Sequence, residues 1–193
     1  MRRTIKDPNS KVLLQKLKYE KDSSQKNKKI SKILMEEQKC YCAYTDQYIG
    51  RADAADIDHF NPTLKYQPED NYENWFVVKH QWNKEKSDKW DDFQPVLHPT
   101  APDLETRIMY SGGHYLANSD DAAATNLIRL IKLDDPILAE NRRKYIARKR
   151  ADMAAYSSTP EEFFRQLLVD DQSAIIYPRA IKEEFNVDVF TLE

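Results

Sequence analysis

The residues with the most chemistry to offer are Asp58 and His59, read together with Asn74, Asn83 and Lys86. They run D-H-x14-N-x8-N-x2-K, which gathers a carboxylate, an imidazole and a second oxygen ligand into one short window. A neutral imidazole can accept a proton near neutral pH, and carboxylate and amide oxygens suit a hard divalent ion. Taken singly, each residue has a blander role: an Asp-His pair is commonly ordinary surface, and an Asn in a loop commonly caps a turn. The coincidence of four positions at this spacing, in a suitable framework, is what points to a site.

That framework can be read from the flanking residues. Trp75 to Val78 is a short β-branched and aromatic run, expected as a strand with Trp75, Phe76 and Val78 in the core. Gln81 to about Asp91 has helix-compatible composition without Gly or Pro. With Ile57 and its neighbours as a partner strand, the unit is strand, long loop, strand, helix. Asp58 and His59 then sit where the first strand meets the loop, and the helix is expected to lay Asn83 across from them. Asn83 and Lys86 lie three apart and share a helix face. Asp56 shares the strand face of Asp58, because side chains alternate with period two.

These residues resemble the HNH, or ββα-metal, nuclease motif in its H-N-N version. The resemblance extends over roughly residues 38 to 150, through Leu97-His98-Pro99, residues 103 to 110 and residues 122 to 146. There it is similar to the HNH subunits paired with an ATPase in Septu-type and retron-linked antiphage defence systems. It implies an α+β, mostly helical fold: a ββα-metal core with flanking N- and C-terminal helices. It implies a metal-dependent endonuclease in which His59 is the general base, Asp58 and Asn83 hold one Mg²⁺ that Mn²⁺ can replace, Asn74 braces the loop carrying His59, and Lys86 meets a phosphate. Asp56 is a lesser candidate, as a supporting group or occasional ligand. The implied partners are nucleic acid, DNA or RNA, and an ATPase subunit, with or without a retron. The alternative is a noncatalytic adaptor that keeps the HNH scaffold to bind nucleic acid or the ATPase.

Many HNH proteins add two Cys pairs around a structural zinc. Here Cys42-Ala43-Tyr44-Thr45 has Thr45 in place of the second cysteine, and His80 and Asn83 stand near the position of the other pair. Cys40, Cys42 and His80 give at most three soft ligands where a closed zinc site wants four. No structural zinc is expected; packing among Tyr44, Trp75 and neighbouring helices should hold the hairpin instead. A small zinc-binding regulator is a third reading, weakened by the missing ligand.

The 193 residues suit one compact domain, divisible into a basic helical segment 1–37, an HNH core with a following hairpin 38–118, and a helical region 119–193. Net charge is −2, but residues 1–39 hold twelve Lys or Arg against five Asp or Glu, and the remainder eighteen against twenty-seven. A basic arm on an acidic body is compatible with phosphate-backbone binding, though charge alone slightly favours a solvated lysine-rich helix. No apolar run approaches a membrane span, and a cytoplasmic location is expected. Cys40 and Cys42 are too close for an ordinary disulfide.

Along the chain, residues 9–38 read as two helices interrupted near Asp22, leading to a hairpin region at 40–50. Residues 105–110 and 114–117 read as a β-hairpin around Gly112-Gly113. Further helices are expected at 119–133 with Asp120 and Asp121 in the first turn, from Pro136 through Arg150, and from Pro160 to about Val169; 181–190 is unassigned. His98 reads as a structural hydrogen-bonding residue beside the site, and His114 as exposed. The cationic run Arg142, Arg143, Lys144, Arg148, Lys149 and Arg150 gives no clear binding stripe.

Overall fold

The strand run Ala55–His59 (β1) pairs antiparallel with Trp75–Lys79 (β2), placing Asp58 opposite Phe76 and His59 opposite Trp75. This is seen in a computed structural model that describes residues 1–87 and 89–192. The protein is α+β and about half helical, with two small antiparallel sheets. Trp75 to Val78 are buried on both faces, as the run of large apolar residues dictates.

Two strands alone are marginal in water, so β1 and β2 must be covered. Helix α1 (Lys11–Leu14) is a single turn, and α2 (Ser24–Glu37) presses Ile30, Ile33 and Leu34 into the core. Just past α2, Gln38 pairs with the outer edge of β2: its Oε1 accepts from Val77 N at 2.8 Å and its Nε2 donates to Val77 O at 2.8 Å. A side-chain amide thus does what a third strand would do for that edge. Tyr44 and Trp75 are both buried in the same cluster. The expected hairpin at 40–50 reduces to one bridge between Tyr41 and Tyr48.

The basic arm is only partly an arm. Met1 is fully buried, and Lys6 is half-buried with its Nζ enclosed, donating to the Trp75 carbonyl and lying 4.5 and 4.2 Å from the Tyr72 and Phe76 ring centres. The first residues are therefore part of the core, because Lys6 satisfies a carbonyl that the sheet leaves open. Lys11, Lys16, Lys18, Lys21, Lys26, Lys28, Lys29 and Lys32 remain exposed.

The helix following β2, α3 (His80–Lys86), is shorter than the expected 81–91. Ser87 takes φ 41 and ends it, and a 3-10 turn occupies Lys89–Phe93. Residues 104–107 form a one-turn helix, α4 (Leu104–Arg107), before the hairpin β3 (Ile108–Ser111) and β4 (His114–Ala117). Gly113, at φ 90, lies against α6 (Pro136–Tyr156), where a Cβ would come within 2.5 Å of the Ala139 carbonyl oxygen; the turn needs glycine there. Helix α5 (Ala122–Leu130) starts later than expected because Asp121 is its N-cap, accepting from Ala124 N at 3.0 Å, rather than a first-turn residue. Helix α7 (Pro160–Asp171) opens on a capping box of Thr159 and Glu162, and the unassigned tail contains α8 (Pro178–Phe185). Helices α6, α7 and α8 enclose a second apolar cluster around Phe164, Ile175 and Ile181. Among the described residues, no helix is long and apolar enough to cross a membrane.

Candidate functional site

Strand β1 offers Asp56 and Asp58 two residues apart, and α3 supplies side chains to both. Asn83 Nδ2 donates to Asp56 Oδ2 at 2.9 Å, and His80 Nδ1 lies 2.8 Å from the same oxygen. Lys86 Nζ donates to Asp58 Oδ1 and Oδ2 at 2.9 and 2.8 Å and to the His59 carbonyl at 2.9 Å. The Tyr44 hydroxyl also donates to Asp58 Oδ2.

The direct contacts divide between the two carboxylates. Asn83 does not meet Asp58: it meets Asp56, and Lys86 meets Asp58. The reason is directional. β2 ends opposite Ala55, so α3 turns back over the sheet from that end and runs alongside β1, its successive turns reaching first Asp56 and then Asp58. Nor does Lys86 present its ammonium to solvent. It is 2% exposed, and its hydrogen bonds go to Asp58 and the His59 carbonyl. Burial raises the Asp58 carboxyl pKa and lowers that of Lys86, and each charge opposes the shift of the other. Burial, reinforced by Asp58, pushes the Tyr44 hydroxyl well above its usual range, so it stays a donor.

His59 closes β1 and is 3% exposed. Tyr19 packs edge-on against its ring at 4.5 Å between centroids, and Trp75 lies at 6.3 Å. Its Nε2 is 3.1 Å from Asp70 Oδ2, although off the axis of a formed hydrogen bond. Burial lowers the imidazole pKa to about 4 despite the upward pull of Asp70, so the ring is neutral at physiological pH.

Asn74 fastens the loop that leaves His59. Its Oδ1 accepts from Asn61 N at 2.7 Å, its Nδ2 donates to Asn61 O at 3.1 Å, and its own carbonyl accepts from Phe60 N at 2.8 Å. The same Nδ2 reaches Asp70 Oδ1 at 2.9 Å, and Trp75 Nε1 donates to that oxygen at 2.8 Å. Asp70 was invisible to sequence reasoning. It lies in the long loop eleven residues after His59, where no periodicity relates one position to another. Its place four residues before Asn74, in a segment that must return to β2, is the one signal available.

The remaining candidates sit as follows. His98 Nδ1 is 2.7 Å from the Thr100 hydroxyl and its ring packs on Phe60 at 4.9 Å; burial lowers its pKa to about 4. His114 is exposed. Cys42 is buried with its Sγ accepting from Lys79 N at 3.4 Å, while His80 turns to Asp56, so the soft ligands face different neighbours. The cationic run on α6 is divided: Arg142 is fully buried, donating to Gly113 O at 2.8 Å and stacking over Tyr115, whereas Arg143, Lys149 and Arg150 pair with Glu140, Asp152 and Glu184. No protein-family model, curated protein or solved structure matches this chain.

Proposed function

We propose that this protein is a metal-dependent endonuclease of the HNH type, with a ββα-metal core formed by β1, β2 and α3, acting as the nuclease subunit of an ATPase-coupled antiphage complex. The observation that carries the reading is the assembly of the spaced residues on one strand-strand-helix unit. Neutral His59 ends β1, Asn74 ties down the loop beyond it, and α3 brings Asn83 and Lys86 to the carboxylates of β1.

In this reading His59 takes a proton from the attacking water, which its neutral state permits. Asn74 keeps the His59 loop from swinging. By donor type Asp58 and Asn83 would suit Mg²⁺ or Mn²⁺, since both offer hard oxygen atoms; in this structure Asp58 receives the Lys86 ammonium and Asn83 bonds Asp56. When bound, the ion relieves phosphate charge and helps the leaving oxygen. Lys86, which bonds Asp58 in this structure, would be the residue that meets a phosphate. Tyr19, which packs on His59, has Lys18 and Lys21 as close sequence neighbours and Lys65 Nζ 5.6 Å from its ring centre, and such cations would suit a nucleic-acid backbone. Phosphate contacts of this kind do not choose between DNA and RNA.

The test is cleavage of nucleic acid by the purified protein, or its complex with the ATPase, in Mg²⁺ or Mn²⁺. His59→Ala abolishes cleavage while the fold survives; undiminished cleavage removes the catalytic role. The noncatalytic adaptor is the second reading, favoured by the way the protein itself occupies Asp56 and Asp58. Calorimetric binding of a divalent ion that is lost in Asp58→Ala separates the two.

A further inference from the structure

We infer that Asp70 is the positioning residue for His59, fixing the proton on Nε2 so that Nδ1 is the atom that accepts a proton from water. The inference rests on the proposed role of His59, and the geometry of Asp70 is its basis. A buried carboxylate needs partners, and this one is oriented by two donors on a single oxygen: Asn74 Nδ2 at 2.9 Å and Trp75 Nε1 at 2.8 Å both reach Oδ1. That arrangement leaves Oδ2 beside His59 Nε2, 3.1 Å away and off the hydrogen-bond axis, with the two side chains 4 and 3% exposed. Nε2 has no formed hydrogen bond to another group among the described residues.

A neutral imidazole has one N–H and one lone pair. Facing a carboxylate, which only accepts, Nε2 must carry the hydrogen, and the lone pair falls to Nδ1. Tyr19 and Trp75, both in T-shaped contact with the ring, limit its rotation. As the water oxygen bonds phosphorus and the bond to the leaving oxygen breaks, the water's proton moves to Nδ1 and the leaving oxygen takes a proton from solvent. The imidazolium so formed is stabilised by the Asp70 charge, and the off-axis Nε2 contact tightens at that stage, as contacts of proton acceptors commonly do. Asn74 thus serves twice, bracing the loop after His59 and orienting Asp70.

Asp70→Asn is the discriminating variant. Its Oδ1 can keep accepting from Asn74 and Trp75, but its amide nitrogen then faces Nε2 as a donor, which makes Nε2 the acceptor and moves the hydrogen to Nδ1. With ¹⁵N-histidine-labelled full-length protein, long-range ¹H–¹⁵N spectra report the tautomer of each of the four histidines, His59 being identified by its absence in His59→Gln. The expected result is an Nε2–H tautomer in the wild type and Nδ1–H in Asp70→Asn. Cleavage should fall in kcat by about a hundredfold or more with KM little changed, and Asp70→Glu should recover part of it. A wild-type Nδ1–H tautomer overturns the inference, as does a folded Asp70→Asn that keeps Nε2–H. If Asp70→Asn does not fold, the wild-type tautomer still decides. A protein with the expected tautomers that cleaves nothing loses the nuclease reading, not the positioning by Asp70.

Discussion

Asn83 on α3 and Asp56 on β1 are joined by a hydrogen bond of 2.9 Å, and His80 reaches the same carboxylate oxygen from one helical turn earlier. One carboxylate therefore sets where the helix begins on the strand. Lys86 follows three residues later with its bonds to Asp58, so the registry of α3 over β1 is held at two points, one partly solvated and one dry.

Replacing Asp56 with Ala removes the outer point. Its side chain is one-third exposed, so water compensates for part of the loss, and a cost of about 1 kcal/mol is expected. The melting temperature should fall by about 2–4 °C. Calorimetric melting checks this, with an amide-exchange measurement showing faster opening of α3 than of β2.

The dry point should behave differently. Removing one member of a buried ion pair leaves the other uncompensated, so Asp58→Asn or Lys86→Met alone should cost about 3–5 kcal/mol. The double replacement should be less costly than the two singles added together, and urea unfolding of all four proteins measures the coupling. A coupling near zero would mean that Lys86 does not hold Asp58 in solution. If Asp58 holds Mg²⁺ as proposed, added Mg²⁺ should raise the melting temperature of Lys86→Met more than that of the wild type, because the ion then no longer competes with an ammonium.

Lys6 predicts an unusual alkaline response. Burial lowers its pKa from 10.5 to about 7, against the upward pull of Glu73 and Glu37. Below pH 7 both folded and unfolded chains hold the proton, and stability is indifferent to pH on its account. Above pH 7 the folded protein sheds it while the unfolded chain keeps it, so the unfolded state binds more protons and stability rises. The difference in unfolding free energy between wild type and Lys6→Met should therefore shift in favour of the wild type as pH rises from 7 to 9.5. Paired urea titrations across that window measure it, and a constant difference would show that the Lys6 ammonium is solvated.

The legible part of the fold was the part written in local pattern. Trp75 to Val78 reads as a buried strand because β-branched and aromatic side chains crowd it, and Pro136 and Thr159-Pro160 mark helix starts because their backbone chemistry suits a first turn. Where the competing signals are local, the reading misplaces a boundary: Asp121 caps α5 instead of entering it, and Ser87 stops α3. The stretch 181–190 was not legible, since α8 opens at Tyr177 in a left-handed conformation that a tyrosine does not announce.

For the site, the sequence by itself determined the donor types and their order along the chain: a carboxylate and imidazole at the end of one strand, amides at fixed spacing, a lysine on the following helix. It could not determine who meets whom, because side-chain pairing depends on how α3 lies over β1. Tertiary structure gave Asn83 to Asp56 and Lys86 to Asp58, drew Lys6 onto the Trp75 carbonyl, buried Arg142 in the core, and brought Asp70 from mid-loop to His59. The physical reason is the same in each case. A buried polar group must find a partner, and which partner lies within 3 Å is decided by packing, not by sequence separation.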